Sequence, residues 1–67
     1  MLKLKKLGQR IKAYRGQKEL RQIDVAVAVG ISSGYLSSIE HGQRHPSLKV
    51  MEKLSRVLRI PLKTFFE

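Results

Sequence analysis

Residues 22–42 read QIDVAVAVGISSGYLSSIEHG, and the folding of the first eight decides the fold class. Ile23, Val25, Val27 and Val29 alternate with Asp24, Ala26 and Ala28, which is the period of a half-buried strand. The chain contains no second strand-like run to pair with it, and an unpaired strand leaves its backbone groups without partners. Val25 and Val29 are also neighbours on one helix face, with Ala26 beside them, and Gly30 stands where a helix closes. The segment therefore predicts a helix. Beyond Gly30, Ser32 and Ser33 are good N-cap residues, and Tyr35, Leu36 and Ile39 carry a second short helix, at about 33–41, to a stop at Gly42. Leu36 and Ile39 form its single apolar stripe, leaving Ser33, Gly34, Ser37 and Ser38 with no packing role.

The flanks are helical by the same test. Leu4, Leu7, Ile11 and Tyr14 lie on one face of an amphipathic helix ending near Gly16 to Lys18, with Lys3, Lys5, Lys6, Arg10, Lys12 and Arg15 around the rest. After Pro46, with Ser47 as cap, Leu48, Met51, Leu54 and Leu58 repeat at helical spacing until Pro61. Leu62 to Phe66 makes a last turn or short helix. The fold class expected is all-α, five helices in one domain spanning 1–67.

The chain has 67 residues, 14 Lys plus Arg against 5 Asp plus Glu, and no Cys. Disulfides, thiolate nucleophiles and Cys-based zinc sites are excluded by composition, and the expected compartment is the cytoplasm. No apolar run is long enough to span a bilayer, and a membrane-surface role would detach the first helix, whose apolar face suits a core. Charge is polarised: residues 1–21 carry eight cations against Glu19 alone, whereas 22–67 carry six against four acids. Such asymmetry points to a polyanion partner.

Catalytic chemistry finds little to stand on. The serines have no base arranged with them, no carboxylate pair has an acid/base context, and no phosphate-cradling glycine loop is present. His41 and His45 have metal-site spacing, but Gly42 and Pro46 make their surroundings a loop and no third ligand is near. No catalytic residue, metal or cofactor is expected.

Gln22, Ala26, Gly30, Ser32, Leu36 and the run Ile39-Glu40-His41-Gly42 make the segment resemble the helix-turn-helix of the phage repressor and Cro class, the xenobiotic-response-element family. The L-G-x-R-I-K-x-Y-R stretch from Leu7, the Pro46-Ser47-Leu48 start and the I-P-L-x-x-F-F close from Ile60 extend the resemblance over residues 7–66. It implies a compact five-helix lambda-repressor-like domain and a sequence-specific regulator of transcription, a repressor or controller protein of bacterial or phage origin. Ala26 would let the motif helices cross closely, Gly30 would supply a positive φ, and Leu36 and Ile39 would pin the third helix. Arg15 and Glu40 match positions that pair across the first and third helices in the family, leaving the guanidinium near phosphate.

The resemblance places the reading surface on Gln22, Ser32, Ser33, Gly34, Tyr35, Ser37 and Ser38, with Arg15, Arg21, His41, Gln43 and Arg44 around it. Arg21 stands where a Thr or Ser cap is usual and Glu19 where Gly is frequent, a weaker cap with a stronger phosphate contact. The reading helix is small and carries no bidentate side chain, so specificity would lean on Tyr35, Gln43, Arg44 and DNA deformability. A palindromic operator read by a homodimer is expected, with half-sites about 34 Å apart. Leu62, Phe65 and Phe66 are the candidate interface; the other reading is that Leu62 and Phe65 cap the core and leave Phe66 over. The alternative function is a protein-interaction module, an antitoxin or repressor partner in which DNA binding is secondary.

Overall fold

A computed structural model describes residues 3–66. Four α-helices follow one another, α1 (Leu4–Gln17), α2 (Gln22–Val29), α3 (Ser33–Glu40) and α4 (Leu48–Leu58), and a 3-10 turn (Leu62–Phe66) closes the chain. Five α-helices were expected, and the described residues contain four. The segment Leu62–Phe66 is wound as a 3-10 turn, in which the Thr64 N–H bonds back three positions to the Pro61 carbonyl and not four as in an α-helix. None of the described helices is long and apolar enough to cross a membrane.

The ambiguous segment is helical, and its alternation sorts into two pairs. Val25 and Val29 are buried with Ala26, while Ile23 and Val27 face outward. The core gathers Leu7 and Ile11 of α1, the three α2 residues, Leu36 and Ile39 of α3, Met51, Leu54 and Leu58 of α4, and Phe65. Leu48, placed by its spacing on the α4 stripe, is 57% exposed instead, while Pro46 before it and Met51 after it are buried.

All four helices stop in the same way, with a left-handed residue followed by an N–H that reaches back five positions. The left-handed residues are Glu19, Gly30, Gly42 and Arg59. Leu20 bonds to the Arg15 carbonyl, Ile31 to Ala26, Gln43 to Ser38 and Ile60 to Ser55, at 2.9 to 3.1 Å. Arg59, not Pro61, thus ends α4. Gly30 takes φ 86° in open space, so only its conformation calls for glycine, whereas a side chain at Gly42 would also strike the Lys5 backbone. A different demand applies at Gly8, inside α1. A Cβ there would run into the carbonyl oxygens of Ile39 and Glu40, so α1 and α3 cross backbone to backbone.

Candidate nucleic-acid interface

The α1–α3 crossing brings Arg15 onto Glu40. Nε and Nη2 of Arg15 donate to the two carboxylate oxygens at 2.7 and 3.0 Å, and Nη1 donates to the Leu20 carbonyl at 3.0 Å. The Glu40 side chain is 1% exposed and that of Arg15 16%. The hydrogen bonds to Glu40, against a smaller desolvation, raise the guanidinium above its ordinary pKa. Gln22 completes the cluster: its Nε2 donates to Glu40 Oε1 at 3.2 Å. A carboxylate accepts and cannot donate, so this bond sets the amide, with Nε2 turned inward and its oxygen outward.

Arg21 behaves differently. Its backbone N–H and Nε both donate to Oδ2 of Asp24, at 3.2 and 2.9 Å, and Nη2 donates to Oδ1 at 3.0 Å. Asp24 therefore supplies the N-terminal closure of α2 that Arg21, with no acceptor on its side chain, cannot supply itself. The paired guanidinium holds the Asp24 carboxyl below its ordinary range. Both side chains are solvated, and the cation expected to be free for phosphate is held by a neighbour one helical turn away.

Along α3 lies a shallow concavity of about 370 Å³ lined by Ser32, Gly34, Tyr35, Ser38 and Arg44. Ser32 Oγ caps the helix by accepting from the Tyr35 N–H at 3.0 Å, and the Ser38 hydroxyl donates to the Gly34 carbonyl at 3.1 Å. The Arg44 guanidinium sits 5.9 Å from the centre of the Tyr35 ring, within cation–π range, which joins the loop after α3 to the helix. Beyond its chain neighbours and the backbone of α3 itself, no atom lies within 4 Å of where a Gly34 side chain would begin. Glycine here costs α3 roughly 1 kcal/mol relative to alanine and returns no packing.

The remaining candidates spread out from this concavity. Ser33 and Ser37 are half-buried, and Gln43 is exposed. His41 Nδ1 donates to the Ser37 carbonyl at 2.7 Å and His45 Nδ1 to the Pro46 carbonyl at 2.7 Å, each ring engaged with its own backbone. In the closing turn, Phe65 is wholly buried, so it belongs to the core and not to any contact surface; Leu62 is half-buried, and Phe66 is 52% exposed. Arg10 is drawn inward too, Nη1 donating to the Thr64 carbonyl at 3.1 Å and tying α1 to the closing turn.

Three features of the site escaped the sequence reading. Asp24 carried a usable signal, an acid three residues after Arg21 at a helix start. The Gln22–Glu40 bond and the Gly8 crossing had none, because both join residues remote in sequence.

The helix-turn-helix family profile matches residues 11–65. The ImmF control region 10 kDa protein of Bacillus phage phi105 is 42% identical over 62 residues, 92% of this chain and 69% of its own length. SinR of Bacillus subtilis, a transcriptional regulator, is 40% identical over 62 residues, 91% of this chain, which spans only 56% of SinR's length. Among solved structures, the restriction-modification controller protein C.AhdI from Aeromonas hydrophila superposes with a TM-score of 0.90 at 36% identity, covering 94% of this chain and 96% of that one. The structure of SinR in complex with DNA gives 0.86 at 39% identity, covering 91% and 98%. On sequence and fold together, the chain belongs to the Cro/C1-type helix-turn-helix family.

Proposed function

We propose that this chain is a sequence-specific double-stranded DNA-binding regulator of transcription, not an enzyme, and that it reads operator half-sites with α3. The observation that carries this reading is the α3 surface. The concavity along it is lined by the small residues Ser32, Gly34 and Ser38, with Tyr35 and Arg44 at the edge, and no long side chain projects from its centre. A major groove admits a helix, and a bare helix sits deeper in it.

Each candidate side chain takes the contact that its chemistry and its place around α3 allow. Ser33, Ser37 and Ser38 face bases as weak discriminators, and Tyr35, Gln43 and Arg44 supply contact at the rim. His41 and Arg15 stand at the edge of the same face, Arg15 with two N–H groups left after its three internal bonds. At Gln22 the oxygen suits a base donor, adenine N6 or cytosine N4, and the second N–H of Nε2 is left for a phosphate or a base acceptor. Its backbone N–H, at the start of α2, suits a phosphate instead.

The functional unit is a homodimer on a palindromic operator, with Phe66 and the exposed part of Leu62 at the contact, acting in a bacterial or phage-infected cytoplasm. A single α3 covers too few base pairs for a selective site, and two-fold pairing reads half-sites about 34 Å apart.

Selection of bound duplexes from a random pool tests the proposal. It is expected to enrich a two-fold symmetric motif whose half-sites are centred about one helical turn apart. A pool that gains no motif while duplex is still retained at low salt would leave only non-specific attraction and reject the reading.

A further inference from the structure

The outward pair on α2 has no role in the fold. Ile23 is 46% and Val27 71% exposed, and the core is complete without them. β-Branched residues are mediocre helix formers, and an exposed helix face is served better by Glu, Lys or Ala. Val27 lines a groove of about 320 Å³ with Ala28 and Gly30 on one side and α4 on the other, where Val57 continues the apolar floor and Lys53 and Arg56 are the cations. None of the residues lining this groove lines the α3 concavity.

Its occupant can be argued from charge. Lys53 and Arg56 can pair with any anion, but a phosphate backbone would leave the apolar floor of Val27 and Val57 uncovered, so the groove suits a chain that brings apolar side chains together with its acids. A second copy is poorly suited, because the chain carries formal charge +9 and few acids. Of those acids, Glu40 is buried and Asp24 is bound to Arg21; Glu19 and Glu52 are the exposed acids left among the described residues, and they lie on separate segments, so a copy has no acidic face to set against Lys53 and Arg56. We propose that the groove docks an acidic amphipathic helix of another protein, with small apolar side chains on Val27 and Val57 and carboxylates on Lys53 and Arg56. The two cations are three residues apart on one face of α4, a spacing that two carboxylates one turn apart on the partner helix can meet. Such a partner would reach the protein without competing for α3.

Amide shift mapping tests this on the full chain, free and with duplex DNA bound, using a synthetic Glu/Leu helical peptide of about four turns and its Lys/Leu counterpart. The acidic peptide alone is expected to move Val27, Ala28, Gly30, Lys53, Arg56 and Val57, in both forms of the protein. Val27→Glu and Arg56→Glu should each weaken it at least about tenfold, and Val27→Glu, at an exposed position, should keep the wild-type helical circular dichroism. Three results would overturn the proposal: no shifts at about 1 mM peptide, equal binding of the Lys/Leu peptide, or shifts centred on α3 with DNA displaced. Self-association lost on Val27→Glu would assign the groove to a second copy and overturn it as well.

Discussion

Arg15–Glu40 and Arg21–Asp24 are both Arg–carboxylate pairs joined through two guanidinium nitrogens, with shortest contacts of 2.7 and 2.9 Å, and they do opposite work. The first links the end of α1 to the end of α3, with its carboxylate out of solvent and both oxygens accepting, from Arg15 and Gln22. The second lies within the first turn of α2, open to water on both sides. A similar bond length therefore says little about what an ion pair contributes. Burial and the number of elements joined decide that, and an exposed pair is free to be exchanged for another anion.

The largest expected effect is at Glu40. Glu40→Ala strands the Arg15 guanidinium and removes the partner of Gln22, and chemical denaturation should show a loss of roughly 3 kcal/mol. A loss within the scatter of surface substitutions would make the two pairs equivalent. Next comes the crossing that permits the buried pair. Gly8→Ala forces α1 away from the Ile39 and Glu40 carbonyls and should cost about 1–3 kcal/mol by the same measurement.

At the exposed pair the effect on stability is the smallest, and the effect on DNA should change sign. Asp24→Asn leaves the melting midpoint almost unmoved, because asparagine still accepts from the Arg21 N–H. It releases a guanidinium and removes an anion beside the duplex, so affinity at low salt should rise severalfold and the salt slope steepen by about 1. Weaker binding would mean that Asp24 holds Arg21 in its working position.

The same contrast governs what could be read in advance. Helical spacing located α1, α3 and α4, and the N-caps at Ser32 and Ser47 form as their residue types require. Residues 22–29 resisted because Ile23 and Val27 are apolar without being buried, a cost that local pattern cannot separate from strand periodicity. Leu48 failed in the reverse direction, correctly spaced yet exposed in the first turn of α4, where Pro46 and Val50 take the inner positions. Arg15 with Glu40 came from family resemblance and not from spacing, since residues this far apart carry no local signature of contact. Phe65 and Phe66 are adjacent and chemically identical, so only the packing of the closing turn could tell that the first is core and the second surface.

DNA reading by α3 turns most directly on Gly34, where the fold leaves open space for a Cβ. Gly34→Leu should be compared with wild type on a selected operator duplex and on a scrambled duplex at matched salt. The expected result is a loss of operator affinity approaching about 100-fold, with scrambled-duplex binding unchanged and the melting midpoint held or raised. Equal losses on both duplexes, or no loss on either, would contradict a reading helix whose bareness lets it approach the bases.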